Sequence, residues 1–163
     1  MGQPRREAPA YSPTPMTHAS RAGRALALAA AVLALAAPAS AQQYTQQVTR
    51  QLDGARATLQ REGYRQTHDY EIGNLNDDAE ESFTVNLTGD RNYAVVGACD
   101  SDCSDMDFWL YDENENLIDS DTGTDDVPVV RVTPSWTGQF TVRVKMYACS
   151  ANPCYYGIGV FGD

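Results

Sequence analysis

Residues 138–146, with the sequence GQFTVRVKM, decide the fold class of this 163-residue chain. The even positions from 140 to 146 are Phe, Val, Val and Met, and the positions between them are Thr, Arg and Lys. Because successive side chains of a strand point to opposite faces, this alternation predicts a β-strand with one buried and one solvated face. A sheet that is covered on one face only is typical of antiparallel pairing.

Shorter segments of the same kind lie on both sides of this strand and are separated by turn-forming residues. They are residues 83–87, 93–98, 108–111, 117–118, 127–132 and 155–161. We expect the segment that contains Pro128 at a sheet edge, because proline has no N–H to donate to a neighbouring strand. Seven short strands with turns between them predict an all-β fold, an antiparallel β-sandwich over residues 75–163.

Residues 42–74 are predicted to form a helix and a linker, and the apolar pattern over residues 44–63 is helical rather than alternating. Five apolar residues, Tyr44, Val48, Leu52, Ala55 and Leu59, recur at spacings of four and three. They predict an amphipathic helix that ends near Gly63, followed by a linker to residue 74. The helix either packs on the domain that follows or acts as a spacer that presents it.

Residues 1–41 have the pattern of a secretory signal peptide. Arg21 and Arg24 precede an apolar run over residues 25–37, and Ala39-Ser40-Ala41 follows it. The run is too short to span a bilayer, and its flanks predict cleavage after Ala41. A start at Met16 would give a leader of more usual length. The alternative is a buried helix of Ala and Leu.

The charge of the chain excludes two classes of partner. The net charge is −10, and removal of residues 1–41, which hold four Arg and one Glu, makes it −13. Nucleic acids and anionic membranes attract basic surfaces, so we expect neither as a partner. No second apolar stretch follows residue 41, so we expect no membrane insertion after cleavage and a periplasmic or secreted protein.

Three segments resemble the bacterial pre-peptidase C-terminal (PPC) domain family. They are residues 105–112 (DMDFWLYD), 116–121 (NLIDSD) and 135–144 (SWTGQFTVRV), and the resemblance covers roughly residues 77–161. It implies a jelly-roll-like β-sandwich and an accessory role in secretion, targeting or substrate binding. Some relatives in this family bind calcium or collagen.

The four cysteines form two tight pairs. Cys99 and Cys103 are separated by three residues, and Cys149 and Cys154 by four. In an exported chain they predict disulfides, and pairing within each tight pair is favoured over crossed pairing. A zinc site made by all four thiolates is the alternative.

The stretch from Asp100 to Asp126 contains eleven carboxylates and neither Lys nor Arg. Carboxylates in loops are the oxygen ligands that Ca²⁺ prefers, so this stretch is a possible calcium site. The best-placed candidates are Asp100, Asp102, Asp105 and Asp107. Two other interpretations stay open, a solvated surface and Asp side chains that bond to backbone N–H groups in turns.

No motif indicates an enzyme. His68 is the one His after residue 41, and the chain contains no G-x-S-x-G, H-E-x-x-H or glycine-rich phosphate loop. We therefore expect an exported, non-catalytic binding or accessory module that presents Trp109, Tyr111 or Trp136 to an envelope or extracellular protein or a polysaccharide. The alternative is a structural, envelope-stabilising sandwich without a small ligand, in which these aromatic side chains are buried.

Overall fold

The computed structural model describes residues 39–163 and contains one helix and nine strands. The predicted signal peptide lies outside these residues except for residues 39–41, so its cleavage stays a prediction. The elements are α1 (Ala39–Arg61), β1 (Arg65–Gln66), β2 (Glu71–Leu75), β3 (Glu80–Leu87), β4 (Tyr93–Cys99), β5 (Cys103–Tyr111), β6 (Leu117–Asp121), β7 (Val129–Val132), β8 (Gly138–Cys149) and β9 (Cys154–Gly162).

The strands form two antiparallel sheets. One sheet has the order β1-β9-β4-β7, with β2 also paired to β9, and the other has the order β3-β8-β5-β6. From β2 onward the chain changes sheet at every connection except the β5–β6 hairpin, which is the connectivity of a jelly roll. The predicted antiparallel, jelly-roll-like β-sandwich is confirmed.

The core lies between the two sheets, and β8 contributes the apolar residues that its sequence predicted. Phe140, Val142, Val144 and Met146 are all fully buried. They pack with the inward side chains of both sheets, among them Phe108 of β5. The odd positions of β8 consequently lie on the outer face of the four-stranded sheet.

Helix α1 packs on the outer face of the five-stranded sheet. Val48, Leu52 and Leu59 are buried there, which confirms the apolar stripe of the predicted helix. The close approach requires Gly157 on β9, since a Cβ at that position would lie 2.6 Å from Val48 Cγ1. The helix begins five residues earlier than predicted, and it lacks the long apolar stretch that crossing a bilayer requires.

The segment predicted as a linker contains two strands. β1 pairs with Gly162 and Phe161, and β2 pairs with residues 154–158, so both extend the sheet at β9. The sequence of β2, EIGNL, has no period-two apolar pattern. It forms a strand because it is hydrogen-bonded to β9, and this pairing cannot be predicted from the local sequence pattern.

Carboxylates join the two sheets along one side of the sandwich. β6 ends the four-stranded sheet and β7 ends the five-stranded sheet. The Asp121 carboxylate accepts a hydrogen bond of 2.9 Å from the N–H of Val129, and Asp119 accepts one of 2.7 Å from the N–H of Arg131. These bonds satisfy donors of an edge strand that would otherwise be free.

Candidate binding face

The outer face of the four-stranded sheet has no covering element among residues 39–163, whereas α1 covers the opposite outer face. Because Phe108 and Leu110 point into the core, their neighbours Trp109 and Tyr111 lie on this outer face. Both rings are half-buried. Two of the three predicted binding aromatics therefore lie together on one free face.

Arg143 of β8 lies between the two rings. It is directly opposite Trp109 in the β5–β8 ladder. Its Cζ atom is 4.6 Å from the centroid of the Trp109 ring and 5.3 Å from that of Tyr111, which is cation–π geometry with both rings. Trp109, Arg143 and Tyr111 are called the aromatic–arginine cluster below.

The guanidinium of Arg143 has free hydrogen-bonding capacity. Its Nε atom is buried and has no partner within the described part of the chain. Arg143 also forms no ion pair with a carboxylate of residues 39–163. Sequence reasoning placed Arg143 on the solvated face of β8 but did not select it, because only the strand register brings it between the two aromatic rings.

A cleft of about 390 Å³ lies beside the aromatic–arginine cluster. It is lined by Ser82, Tyr111, Asp112, Glu115, Thr141 and Arg143. The cleft thus combines hydroxyl groups, carboxylates of the β5–β6 turn and one guanidinium.

Asp112 organises the turn at one end of this cleft. Its Oδ1 accepts hydrogen bonds of 2.8 Å from the N–H groups of Asn114 and Asn116, and its Oδ2 accepts one of 2.8 Å from the Asn116 side chain. The Asn116 side chain and the two backbone N–H groups hold the pKa of Asp112 below its usual value. Asp112 therefore presents a stable negative charge to the cleft.

Trp136, the third predicted binding aromatic, lies outside the cleft. Its ring stacks on the buried ring of Phe140 with 5.6 Å between centroids, and its Nε1 donates a hydrogen bond of 2.9 Å to Glu113. Although 37% exposed, Trp136 covers one end of the core. Its geometry is explained by packing, and a binding role for it stays a prediction.

The cysteines lie at the other end of the sandwich in the favoured local pairing. Cys99 is paired with Cys103, and Cys149 with Cys154. The two loops are neighbours, because Ser150 donates from its N–H and from its hydroxyl to the carbonyl of Asp102, each at 2.8 Å. The four sulfur atoms are therefore used in disulfides and not in a zinc site.

The four predicted calcium ligands do not converge. Asp100 is almost fully buried, and its carboxylate accepts hydrogen bonds from the N–H of Asp102 at 3.0 Å and of Tyr155 at 2.7 Å. Asp100 thus stabilises the β4–β5 turn and its contact with β9. This bears out, for this residue, the interpretation that Asp side chains bond to backbone N–H groups.

Asp105 and Asp107 lie apart from that turn, on the outer face of β5. Each is only 7% exposed, and Asp105 Oδ1 has no hydrogen-bond partner within residues 39–163. Burial raises the pKa of both carboxyl groups. The negative charge of Asp125 raises the pKa of Asp105 further, and that of Asp105 raises the pKa of Asp107 further. The described residues contain no group of three or more His, Cys, Asp or Glu placed to hold a metal, so calcium binding stays a prediction.

Comparisons with known proteins give likenesses to solved structures and no family. No protein-family model matches the chain, and no curated protein matches it. Among the solved structures, the pre-peptidase C-terminal domain of a collagenase from Bacillus anthracis is similar over 56% of this chain and 87% of that chain, at 16% identity and a TM-score of 0.46. At these values the fold class rests on the two sheets themselves, and the likeness gives no evidence on ligand or activity.

Proposed function

We propose that this chain is an exported, non-catalytic binding module of the bacterial cell envelope or extracellular space. Its ligand docks on the outer face of the four-stranded sheet, at the aromatic–arginine cluster. The observation that carries this proposal is Arg143, which lies between Trp109 and Tyr111, lines a cleft and forms no ion pair within residues 39–163. Because no carboxylate of residues 39–163 pairs with this guanidinium, its N–H groups at the cleft are free to donate charge-assisted hydrogen bonds to a ligand.

The composition of the cleft favours a polysaccharide over a protein as this ligand. Sugar hydroxyls both donate and accept hydrogen bonds, so they match a cleft that contains an acceptor such as Asp112 and a donor such as Arg143. The half-buried aromatic rings add apolar area for the faces of sugar rings. An acidic ligand is disfavoured by the negative charges of Asp112 and Glu115.

The chemistry of Asp112 supports binding rather than catalysis. Both of its oxygens accept hydrogen bonds from the turn, and its pKa is lowered. A general acid needs a raised pKa, so this carboxylate is poorly suited to protonate a leaving group.

Export is supported by the disulfides and the signal-peptide pattern. Disulfides persist in oxidising compartments and are rare in the cytosol. Processing after Ala41 predicts that the exported protein begins at Gln42, which N-terminal sequencing tests. An exported protein that retains residues 1–41 would contradict this part of the proposal.

The binding test compares two arginines that both lie over aromatic rings. The full chain is expressed for export, and the recovered protein is mixed with insoluble polysaccharides, namely peptidoglycan, chitin and cellulose, and with envelope proteins. Arg143→Gln is expected to weaken polysaccharide binding by about tenfold, the equivalent of one charge-assisted hydrogen bond. Arg131→Gln, which removes a guanidinium 5.9 Å from the Tyr64 ring, serves as the matched control and should bind normally.

Two outcomes would overturn the proposed function. If Arg143→Gln and Tyr111→Ala bind every polysaccharide and envelope protein as well as the unchanged protein does, the cluster is not the site. If the unchanged protein binds none of them, the alternative of a structural sandwich without a small ligand is supported.

A further inference from the structure

β3 is an unusually regular edge strand. It is eight residues long, and its register with β8 continues without interruption from Glu80 opposite Lys145 to Leu87 opposite Gly138. Within residues 39–163 it pairs with no strand other than β8. Proteins usually protect such edges with proline, bulges, short strands or charged side chains, and of these β3 has only the charges of Glu80 and Glu81 at its start.

The register identifies which backbone groups of β3 are free. The N–H of Met146 donates to the carbonyl of Ala79, so this pair is one of the hydrogen-bonded pairs of the ladder. Because bonded and non-bonded pairs alternate in antiparallel sheets, Glu81, Phe83, Val85 and Leu87 also direct their backbone groups to β8. The residues between them, Ser82, Thr84 and Asn86 together with Glu80, direct theirs to the open edge.

A slot of about 230 Å³ lies beside this edge, between β3 and the edge of the five-stranded sheet. Phe83, Val85 and Ile158 line it with apolar surface, and Asp69 and Glu71 line it with carboxylates. The slot has room for apolar side chains of a strand placed along β3.

The surroundings of the edge are acidic. Glu80 and Glu81 begin β3, and Asp69 and Glu71 lie across the slot. The Glu81 carboxylate accepts a hydrogen bond from the Tyr156 hydroxyl, which leaves three carboxylates around the edge for a ligand. Lys145, opposite Glu80, is already paired with Asp78 at 3.2 Å. This charge favours a basic occupant, and it disfavours a second copy of a chain that is itself strongly acidic.

We propose that β3 is a docking edge that takes up an extended, basic segment of a partner protein as a fifth strand of the four-stranded sheet. The backbone groups of Ser82, Thr84 and Asn86 bond to the added strand, and its apolar side chains enter the slot. Its Lys or Arg side chains lie on the outer face with Glu80, and the carboxylates of Asp69 and Glu71 add to the negative potential that attracts them. Strand addition of this kind draws affinity from the main chain and specificity from alternate side chains. The docking edge uses the backbone of Ser82, whereas the cleft beside the aromatic–arginine cluster is lined by Ser82 on the outer face of the sheet.

The test uses the full exported chain and a peptide KVKVKVK as the probe, with EVEVEVE as the matched acidic peptide. Fluorescence anisotropy should show binding of the basic peptide, weakened by salt, and little binding of the acidic one. Amide hydrogen exchange should slow at Ser82, Thr84 and Asn86 and stay unchanged in β6. A basic peptide that is N-methylated at alternate residues should lose binding, since it cannot donate to the edge.

Substitutions separate backbone pairing from charge. Thr84→Pro removes an outward N–H and should abolish binding, whereas Thr84→Val keeps that N–H and should bind normally. Should Thr84→Pro fail to fold, Glu71→Gln combined with Glu80→Gln should still weaken binding by about tenfold. Arg131→Gln, on β7 of the other sheet, should have no effect. Protection of the backbone amides of residues 82–86 by the basic peptide distinguishes this proposal from the proposed polysaccharide site.

Four results would overturn the proposal: no binding of the basic peptide, equal binding of both peptides, full binding of the N-methylated peptide, or binding without protection of residues 82–86. A dimer that protects the same amides at rising concentration would identify a second copy as the occupant and overturn the basic partner.

Discussion

Asp107 illustrates how a single buried charge opposes folding. Its pKa is raised by burial and then by Asp105, so protonation stabilises the folded state. A carboxyl group with a raised pKa gives this stabilisation at low pH, and the stabilisation is lost as the pH rises through the folded pKa. Asp107→Asn should therefore raise the melting temperature at pH 7, and the difference should close as the pH falls toward the unfolded value of 3.8. Thermal melts between these pH values test this.

Asp112 serves as the control, because its pKa is shifted in the opposite direction to that of Asp107. Its pKa is lowered by hydrogen bonds, so its contribution to stability is present above pH 3.8 and is lost as the pH falls through the folded pKa. Asp112→Asn should lower the melting temperature at pH 7. If Asp107→Asn also lowers the melting temperature at pH 7 without added metal, the prediction for Asp107 is wrong. A favourable interaction of the Asp107 carboxylate then stabilises the folded state by more than burial of its charge destabilises it.

Bound calcium would reverse the destabilising effect of the buried Asp105 and Asp107 carboxylates. If Ca²⁺ binds to Asp105 and Asp107 in the folded state only, stability rises with free Ca²⁺, by about 2.7 kcal/mol at about a hundred times the dissociation constant. Mg²⁺ should substitute poorly, and Asp105→Asn with Asp107→Asn should abolish the response. A melting temperature that millimolar Ca²⁺ leaves unchanged at constant ionic strength would contradict calcium binding.

The residues of the binding face could be predicted only in part. Trp109 and Tyr111 were predicted because large aromatic residues in a strand indicate either core or binding. Arg143 and the hydrogen bond from Tyr155 to Asp100 were missed, because each depends on a partner from a distant strand, Trp109 in one case and Tyr155 in the other. Strand register is a property of the fold and not of a local pattern.

At the scale of the elements, two glycines test how α1 is held. Gly157→Ala places a methyl group 2.6 Å from Val48 Cγ1 and should lower the free energy of unfolding by about 1–3 kcal/mol. Gly54 lies in α1 with nothing within 4 Å of a new Cβ, so Gly54→Ala should raise that free energy by about 0.5–1 kcal/mol. Urea denaturation of both variants measures the difference. Equal effects of the two substitutions would contradict close packing of α1 on β9.

Periodicity explains which elements were predicted. Helix α1 and seven strands have apolar patterns of their own, and these patterns also indicated the sandwich. β1 and β2 lack such a pattern, and they form strands because β9 supplies their hydrogen bonds. The prediction therefore stopped where structure depends on a partner strand rather than on the local sequence.

For the whole molecule, the two disulfides should add stability without determining the fold. Each closes a short loop, which the chain-entropy model values at about 2 kcal/mol. Reduction should therefore lower the denaturant midpoint while the slope of the transition stays the same, because the same core is exposed on unfolding. Guanidinium titrations with and without reductant measure this. A reduced protein without a cooperative transition, or a peptide map that links the 99–103 loop to the 149–154 loop, would contradict it.

We expect the carboxylate bridges between β6 and β7 to limit the growth of the four-stranded sheet by addition of strands from other copies. A sheet with two free edges can grow into a filament, because each added strand offers a new edge to the next. Within residues 39–163, Asp119 and Asp121 hold one edge of the four-stranded sheet against β7, which leaves β3 as the open edge of this sheet. Once a strand is added at β3, this sheet has no open edge for a further strand. Two copies that pair through β3 therefore form a dimer that cannot grow through this sheet. If the protein is exported as proposed, we expect it to form dimers at most through this sheet when its concentration rises, and not fibres.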